Sequence, residues 1–348
     1  MKIALDVSQS IYGTGVSDYT LELYKHLEGV LPFGYSFRRY SELKRTVLKG
    51  VSLPFPPTLM HYLWNKLHII NVETFVGKID IYHSSDWAQG PSRAGKVTTI
   101  HDLSPFLFPQ EANPKIVSVH TDRMKWVVKE CHKIICVSQN TANDMSKLFP
   151  ETSSRLVVIP EAMPSRFLLK PSSSYTYSYI LAVGTRQPRK NITRLISAFL
   201  KYRLSEKLII IGEKPDHLEG GQLALSAVEG DSFQVEFTGY VSDQELVNYL
   251  ASASCFVYPS LYEGFGLPIL SAFHHKVPVA CSNTSSLPEV AGNAAAFFNP
   301  QDAESIAHGI SAAIKNKKSL IAAGTKQLSK FSWSHTAAET MKVYKSLC

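Results

Sequence analysis

The sequence predicts an α/β protein of two Rossmann-like βαβ domains facing each other across a cleft. Three observations carry that reading. Short apolar runs alternate with helical stretches along the chain, the pattern of βαβ units whose crossovers cover both faces of a parallel sheet. The 348 residues suffice for about two domains. A passage rich in Pro and Ser, Pro160–Pro164 followed by Pro171–Ser174, interrupts the alternation near its middle and reads as a linker.

The elements follow in order. Lys2–Val7 is an apolar strand, and a loop bearing Gly13 and Gly15 leads from it into a helix. Val16, Thr20, Leu23, Tyr24 and Leu27 of that helix share one face. Ile79–His83, Val97–Ile100, Lys133–Val137 and Leu156–Ile159 are the further strands of the first half. Tyr179–Val183 opens the second half, and Asn191 caps a helix whose Ile192, Leu195, Ile196 and Phe199 fall together. Leu208–Gly212 and Val235–Thr238 are strands. Ser242 to Glu245 form a capping box before Leu246–Ala251, and Cys255–Tyr258 and Pro278–Ala280 are strands again.

Composition excludes several classes. With 45% hydrophobic and 19% charged residues, the chain is neither disordered nor fibrous. The net charge of +7 favours an anionic partner, but no basic arm points to nucleic acid. Five cysteines without a Cys-x-x-Cys read as buried free thiols. No signal peptide is legible at the N-terminus, and no run nears the about 18 apolar residues of a spanning helix. The expected setting is cytoplasmic. Gly90 to Lys96 resembles a phosphate-binding loop, but Val97 stands where Ser or Thr would hold magnesium, and Lys96 opens a strand rather than a helix. Gly13 and Gly15 begin a dinucleotide fingerprint that Asp18 breaks.

Two turns carry chemistry. In Tyr258-Pro-Ser-Leu-Tyr-Glu263-Gly-Phe-Gly266-Leu-Pro268 a strand ends, a carboxylate follows, glycines allow close backbone approach, and Pro268 suits the first turn of a helix. A helix start of this kind is an anion site, and the carboxylate beside it suits a sugar hydroxyl. The alternative is a structural loop with a capping Glu. In Gly184-Thr-Arg186-Gln-Pro-Arg189-Lys190-Asn191 three cations crowd another helix start, which calls for a bound anion or for solvation. Together the two turns suit a diphosphate.

These residues bring in a resemblance. The sequence resembles the retaining glycosyltransferases of family 4, which have the GT-B fold. The carriers are GTRQPRKN, FTGYVSDQELVNYLASASCFVYPSLYEGFGLPIL and SNTSSLPEVAG in the second half, and GTGVSDYTLEL, DIYHSSDW, TTIHDLSPFLFP and VSQNTANDM in the first. The resemblance implies a metal-independent hexosyltransferase that keeps the anomeric configuration of a nucleotide-sugar donor. It implies an acceptor-side domain over 1–165, a donor-binding domain over 166–331, and a C-terminal helix, 332–348, crossing back to the first domain.

Residue by residue, the resemblance places Arg189 and Lys190 at the donor diphosphate and Glu263 at the donor-sugar hydroxyls. Gly264, Phe265 and Gly266 wrap sugar and phosphate, Thr185 and Leu267 are further donor-binding positions, and Tyr240 and Val241 lie beside the nucleobase. Gly13 and Gly15 face the diphosphate and acceptor, and His101 reaches the donor sugar. On the residues alone, a structural place at a strand end is the commoner role for a histidine such as His101. Asp102 and Ser138 stand on the acceptor side, with Thr141 beside Ser138, although Asp102 also suits a cap for the turn after it. The family's Glu-x7-Glu pattern is broken, because its second position is Ser271. A hydroxyl cannot accept from both ribose oxygens as a carboxylate does. A lost charged hydrogen bond, about 1.5–3 kcal/mol, corresponds to roughly ten- to a hundred-fold in donor affinity.

The PRKN, PEAMPSRF and SNTSSLPEVAG segments resemble bacterial mannosyltransferases, which puts GDP-mannose first among donors and UDP-sugars next. The expected acceptor is a glycan or a lipid-linked glycan in envelope polysaccharide synthesis. Arg38, Arg39, Lys44, Arg45 and Lys49, followed by apolar and aromatic Leu59–Trp64, suit peripheral contact with an anionic membrane, or else a solvated helix over a local core. A non-catalytic nucleotide-sugar-binding protein and a sugar-nucleotide epimerase are the competing classes.

Overall fold

The computed structural model describes residues 1–35, 50–175, 177–184, 187–212 and 234–348. They form two compact units, Met1–Ala162 with Ser332–Cys348, and Met163–Phe331. Each is a parallel sheet with helices packed on it.

The first unit has strands β1 (Ile3–Asp6), β2 (Val30–Tyr35), β3 (Val51–Leu53), β4 (Ile81–Ser84), β5 (Gly95–Ile100), β6 (Lys133–Cys136) and β7 (Leu156–Val158), in the spatial order 3-2-1-4-5-6-7. Strand order reverses between β1 and β4, so the loops leaving their carboxyl ends diverge into a crevice, the usual ligand position in such sheets. Helix α1 (Gly15–His26) starts at Thr14, whose side chain accepts from the Ser17 amide in a reciprocal capping box. Helices α2 (Pro114–Glu130) and α3 (Gln139–Leu148) complete the βαβ repeats. Trp64, Phe33, Tyr35 and Tyr82 form one core cluster on this sheet, and Ile100, Met124, Val127, Ile134 and Met145 form another.

The second unit has β8 (Tyr179–Val183), β9 (Lys207–Ile211), β10 (Val235–Gly239), β11 (Cys255–Tyr258), β12 (Val279–Ser282) and β13 (Ala295–Phe298), ordered 10-9-8-11-12-13. The switch point lies between β8 and β11. These strands are near-continuous apolar runs because both faces are covered. Helix α4 (Ile192–Lys201) buries Ile192, Leu195, Ile196 and Phe199 against them, each contributing about 1.5–3 kcal/mol of apolar burial. The capping box of Ser242 and Glu245 opens α5 (Asp243–Ser252). Helices α6 (Leu267–His274), α7 (Leu287–Ala291), α8 (Ala303–Lys315) and α9 (Lys317–Leu328) follow.

The last helix, α10 (Trp333–Lys345), belongs to the first unit. Trp333 meets Tyr19 of α1 edge to face at 5.7 Å, and the Thr336 hydroxyl donates to the Pro160 carbonyl at 2.8 Å. The Tyr344 hydroxyl lies 2.6 Å from Nδ1 of His83, whose Nε2 lies 3.0 Å from Thr99 Oγ1. Burial, with the charges of His101 and Arg123 nearby, lowers the His83 imidazole to about 3, so the ring stays neutral.

Three points need correction. Strands β2, β3 and β13 carry weak sequence signals. Pro32 and Gly34 interrupt β2, and it tolerates Pro32 because its pairing with β3 begins only at Phe33. Strand β3 has three residues, and β13 is an edge strand, AAFF, without β-branched side chains. Asn191 does precede α4, but in a left-handed conformation (φ 58°) and without a side-chain cap. It follows a 3-10 turn, Pro188–Lys190, and spends its amide elsewhere. Finally, Cys131, Cys136, Cys255 and Cys281 are buried thiols, but Cys348 is exposed.

Candidate active site

In the second unit, the loops leaving β8 and β11 meet at the switch point. The β8 loop passes Gly184, where a β-carbon would come within 2.5 Å of Ile192 Cδ1. It then makes the turn Pro188–Lys190. Asn191 ties this turn down, since its Nδ2 donates to the Pro259 carbonyl at 3.0 Å and to the Pro300 carbonyl at 2.7 Å. The Leu261 amide donates back to the Arg189 carbonyl at 2.7 Å. The two loops are thus joined by backbone and amide bonds before any charge acts.

Three charged side chains then converge. Lys190 Nζ donates to Glu263 Oε1 at 2.6 Å and to the Tyr258 hydroxyl at 3.3 Å. Arg189 Nη1 donates to the Tyr262 carbonyl at 3.1 Å and to Glu263 Oε2 at 3.4 Å. The cations of the PRKN turn therefore find an anion within the protein itself. Burial pulls the Glu263 carboxyl upward, but Lys190 and Arg189 outweigh it and hold it below its ordinary range. Glu263 is thus a carboxylate that accepts hydrogen bonds and has no proton to give.

The Glu263 backbone is fixed by two serines of the next loop. The Ser285 hydroxyl accepts from the Glu263 amide at 3.0 Å and donates to its carbonyl at 2.6 Å. The Ser286 hydroxyl donates to the carbonyls of Glu263 at 3.0 Å and Phe265 at 2.6 Å. Gly266, at φ 120°, occupies backbone space that side-chain-bearing residues rarely enter, and it opens α6 with Pro268 in the first turn. No side chain caps this helix start. The positive end of its dipole follows three residues after Glu263, and two cations against one carboxylate leave this turn of the unit net positive.

The other expected residues of this unit lie as follows. Tyr240 is 91% exposed, and Val241 beside it is half-buried. Gly264 and Phe265 lie within the serine-braced turn. Leu267 begins α6. Ser271 is buried on that helix, and its hydroxyl donates back to the Leu267 carbonyl at 3.4 Å. Thr185 and Arg186 lie outside the described residues, as do Arg38, Arg39, Lys44, Arg45 and Lys49.

In the first unit, His101 follows β5, and its Nδ1 lies 2.8 Å from Glu161 Oε1. Tyr19 packs edge to face on the ring at 4.6 Å. Burial alone would favour the neutral ring. The Glu161 hydrogen bond and charge, helped by Asp86 and Asp102, outweigh it and raise His101 above the ordinary histidine range. Asp102 Oδ1 accepts from the Ser104 amide at 2.8 Å and the Ser104 hydroxyl at 2.6 Å, so it caps the following turn. Ser138 caps α3 by accepting from the Thr141 amide at 3.0 Å. Gly13, at φ 66°, precedes the Thr14 cap, and Gly15 is the first residue of α1.

Sequence reasoning missed Glu161, Ser285, Ser286 and the double anchoring by Asn191. Glu161 lies inside the Pro-rich passage that reads as a linker. Among the described residues, no three His, Cys, Asp or Glu side chains converge as metal ligands, and no helix is long and apolar enough to cross a membrane.

Comparison with known proteins agrees with this anatomy. Residues 169–327 match the model of glycosyl transferases group 1, and residues 14–164 match that of glycosyltransferase family 4. The chain is 32% identical over 293 residues to the O-antigen chain mannosyltransferase B of Escherichia coli, covering 77% of this chain and 74% of that protein. It is 29% identical over 262 residues to the serotype-specific mannosyltransferase WbdA of Escherichia coli, covering 69% of this chain. That match spans about a third (32%) of the longer relative. Among solved structures, the sucrose-phosphate synthase of Thermosynechococcus elongatus shares the fold, with a TM-score of 0.72 at 16% identity, covering 100% of this chain and 99% of that one. On fold, loop anatomy and these similarities together, the chain belongs to the group 1 and family 4 glycosyltransferases of the GT-B class.

Proposed function

We propose that the chain moves a hexose, mannose first among candidates, from a nucleoside diphosphate sugar to a glycan or lipid-linked acceptor, with retention at the anomeric carbon. The observation that carries this reading is the meeting of Arg189, Lys190 and Glu263 beside the uncapped start of α6. The donor's C1–O bond to the diphosphate breaks, the acceptor oxygen bonds to C1 on the same face, and the acceptor proton leaves with the phosphate oxygen. Charge builds on that oxygen. Arg189, Lys190 and the helix start lie ready to stabilise it, and hydrogen-bond donors fixed in advance around a developing charge often supply most of an enzyme's rate enhancement. Because protein cations supply this charge, the proposed reaction needs no divalent metal. Glu263, fixed as a carboxylate, accepts from hydroxyls of the sugar, and the family resemblance assigns His101 a contact with the donor sugar.

The similarity to mannosyltransferases supports GDP-mannose as donor, with UDP-sugars next. For the acceptor, a surface of the first unit supports a lipid-linked chain presented at an anionic membrane. Tyr62, Leu67, Ile69 and Ile70 are exposed together around Lys66. His68 and Ile70 hold this stretch in left-handed backbone, an unusual conformation for a branched side chain. The expected location is the cytoplasmic face of the membrane. Product analysis tests the reading. The purified protein, GDP-mannose and a lipid-linked acceptor in anionic vesicles should give a new α-glycosidic bond with EDTA present, and faster than with neutral vesicles. Free donor returned as an epimer, or no product with any donor, would contradict it.

A further inference from the structure

His101 sits in a pocket built by three separate segments. Its Nδ1 faces Glu161 at 2.8 Å, and Glu161 comes from the passage after β7, a sequence distance of 60 residues. That passage is itself held, because Thr336 of α10 donates to the Pro160 carbonyl. Tyr19 of α1 closes one side of the ring, and Trp333 packs behind Tyr19. Both partners of the pair are buried, His101 at 8% exposure and Glu161 at 4%. His101 Nε2 is also buried, yet it has no hydrogen-bond partner among the described residues. A buried polar atom without a partner is costly, so a ring braced on one nitrogen and open on the other suggests a ligand for the second.

We propose that Glu161 is a positioning residue for His101: its carboxylate accepts a hydrogen bond from Nδ1–H and leaves Nε2 of the charged ring as the hydrogen-bond donor to an oxygen of the sugar donor. The inference rests on the proposed function for the identity of that oxygen, but not for the pairing itself. In a neutral ring, a carboxylate on Nδ1 keeps the single proton there and makes Nε2 an acceptor. Only the charged ring donates from both nitrogens. The groups facing the ring favour that charged form: Glu161 from the passage after β7, Asp86 from the loop after β4, and Asp102 beside it. Tyr19 contributes an uncharged ring edge, and His83 of β4, held neutral, adds no competing charge.

The test uses the full chain with 15N-labelled histidines, the His101 signals being identified by their loss in His101→Gln. In the wild type, Nδ1 should be protonated throughout, and Nε2 should titrate at a midpoint above the ordinary 6.5. In Glu161→Gln the midpoint should fall by about one pH unit, which leaves roughly tenfold less charged ring at a fixed alkaline pH. Glu161→Asp should bring the midpoint part of the way back. The alkaline limb of kcat/KM should move with the titration in both variants. A midpoint unchanged in Glu161→Gln overturns the proposal, and so does a rate lowered equally at every pH, which is the mark of a merely structural role. If no nucleotide sugar supports turnover, the proposed function fails. The nitrogen titration still decides whether Glu161 sets the proton on His101.

Discussion

Lys190 and Glu263 lie 2.6 Å apart with Arg189 on the other carboxylate oxygen, and all three are largely buried. Breaking such a group by removing one member costs about 3–5 kcal/mol, because the charges left behind have lost their water as well as their partner. Glu263→Gln is therefore expected to unfold at lower denaturant than the wild type. A nucleoside diphosphate should restore more stability to the variant than to the wild type, since its phosphates replace the missing anion. Equal restoration would separate these cations from the diphosphate. Acid acts in the same direction. The folded-state value of Glu263 is depressed, so its contribution is complete above the ordinary 4.5 and is lost as pH falls through the lower folded value. Sequence spacing made these three residues candidates, because each lies in a turn between a strand and a helix. It could not show that the acid already neutralises the bases. That contact runs between residues 73 and 74 positions apart and depends on the β8–β11 switch point. Ser285 and Ser286 were illegible for the same reason. A hydroxyl bracing a backbone some 22 positions away leaves no local pattern.

Whole elements were easier to read than residues where the physics is local. Tyr179–Val183 and Cys255–Tyr258 are unbroken apolar runs, as strands buried on both faces must be, and their observed limits agree with the expected ones. Helix α4 follows from its single apolar stripe. The turn from β11 into α6 is an element of another kind, specified by backbone conformation. Gly266 stands at φ 120°, and a β-carbon there would meet Leu287 Cδ2 at 3.0 Å. Gly266→Ala should cost about 1–3 kcal/mol through strain at this position, read as a lower urea midpoint. It should weaken nucleotide binding too, because the helix start it opens would shift. An unchanged midpoint and affinity would show that the turn is not held as tightly as its serine braces imply.

At the scale of the molecule, two parallel sheets each present a switch point, and α10 returns the end of the chain to the first unit. The alternation of strands and helices made the class of fold legible. The return of α10 came from the family resemblance, since an amphipathic helix does not announce which sheet it will join. Its contacts now give it a purpose beyond packing. Trp333 backs Tyr19 against His101, and Thr336 holds the backbone next to Glu161. The central claim remains that the second unit holds a diphosphate between Arg189, Lys190 and the start of α6. Calorimetric titration of the full chain and its Lys190→Ala variant with GDP and UDP tests it most directly. At least one nucleotide should bind the wild type, and the variant should bind it roughly ten- to a hundred-fold more weakly, as expected for one charged hydrogen bond. Equal affinity in the two proteins, or no binding of either nucleotide, would contradict it.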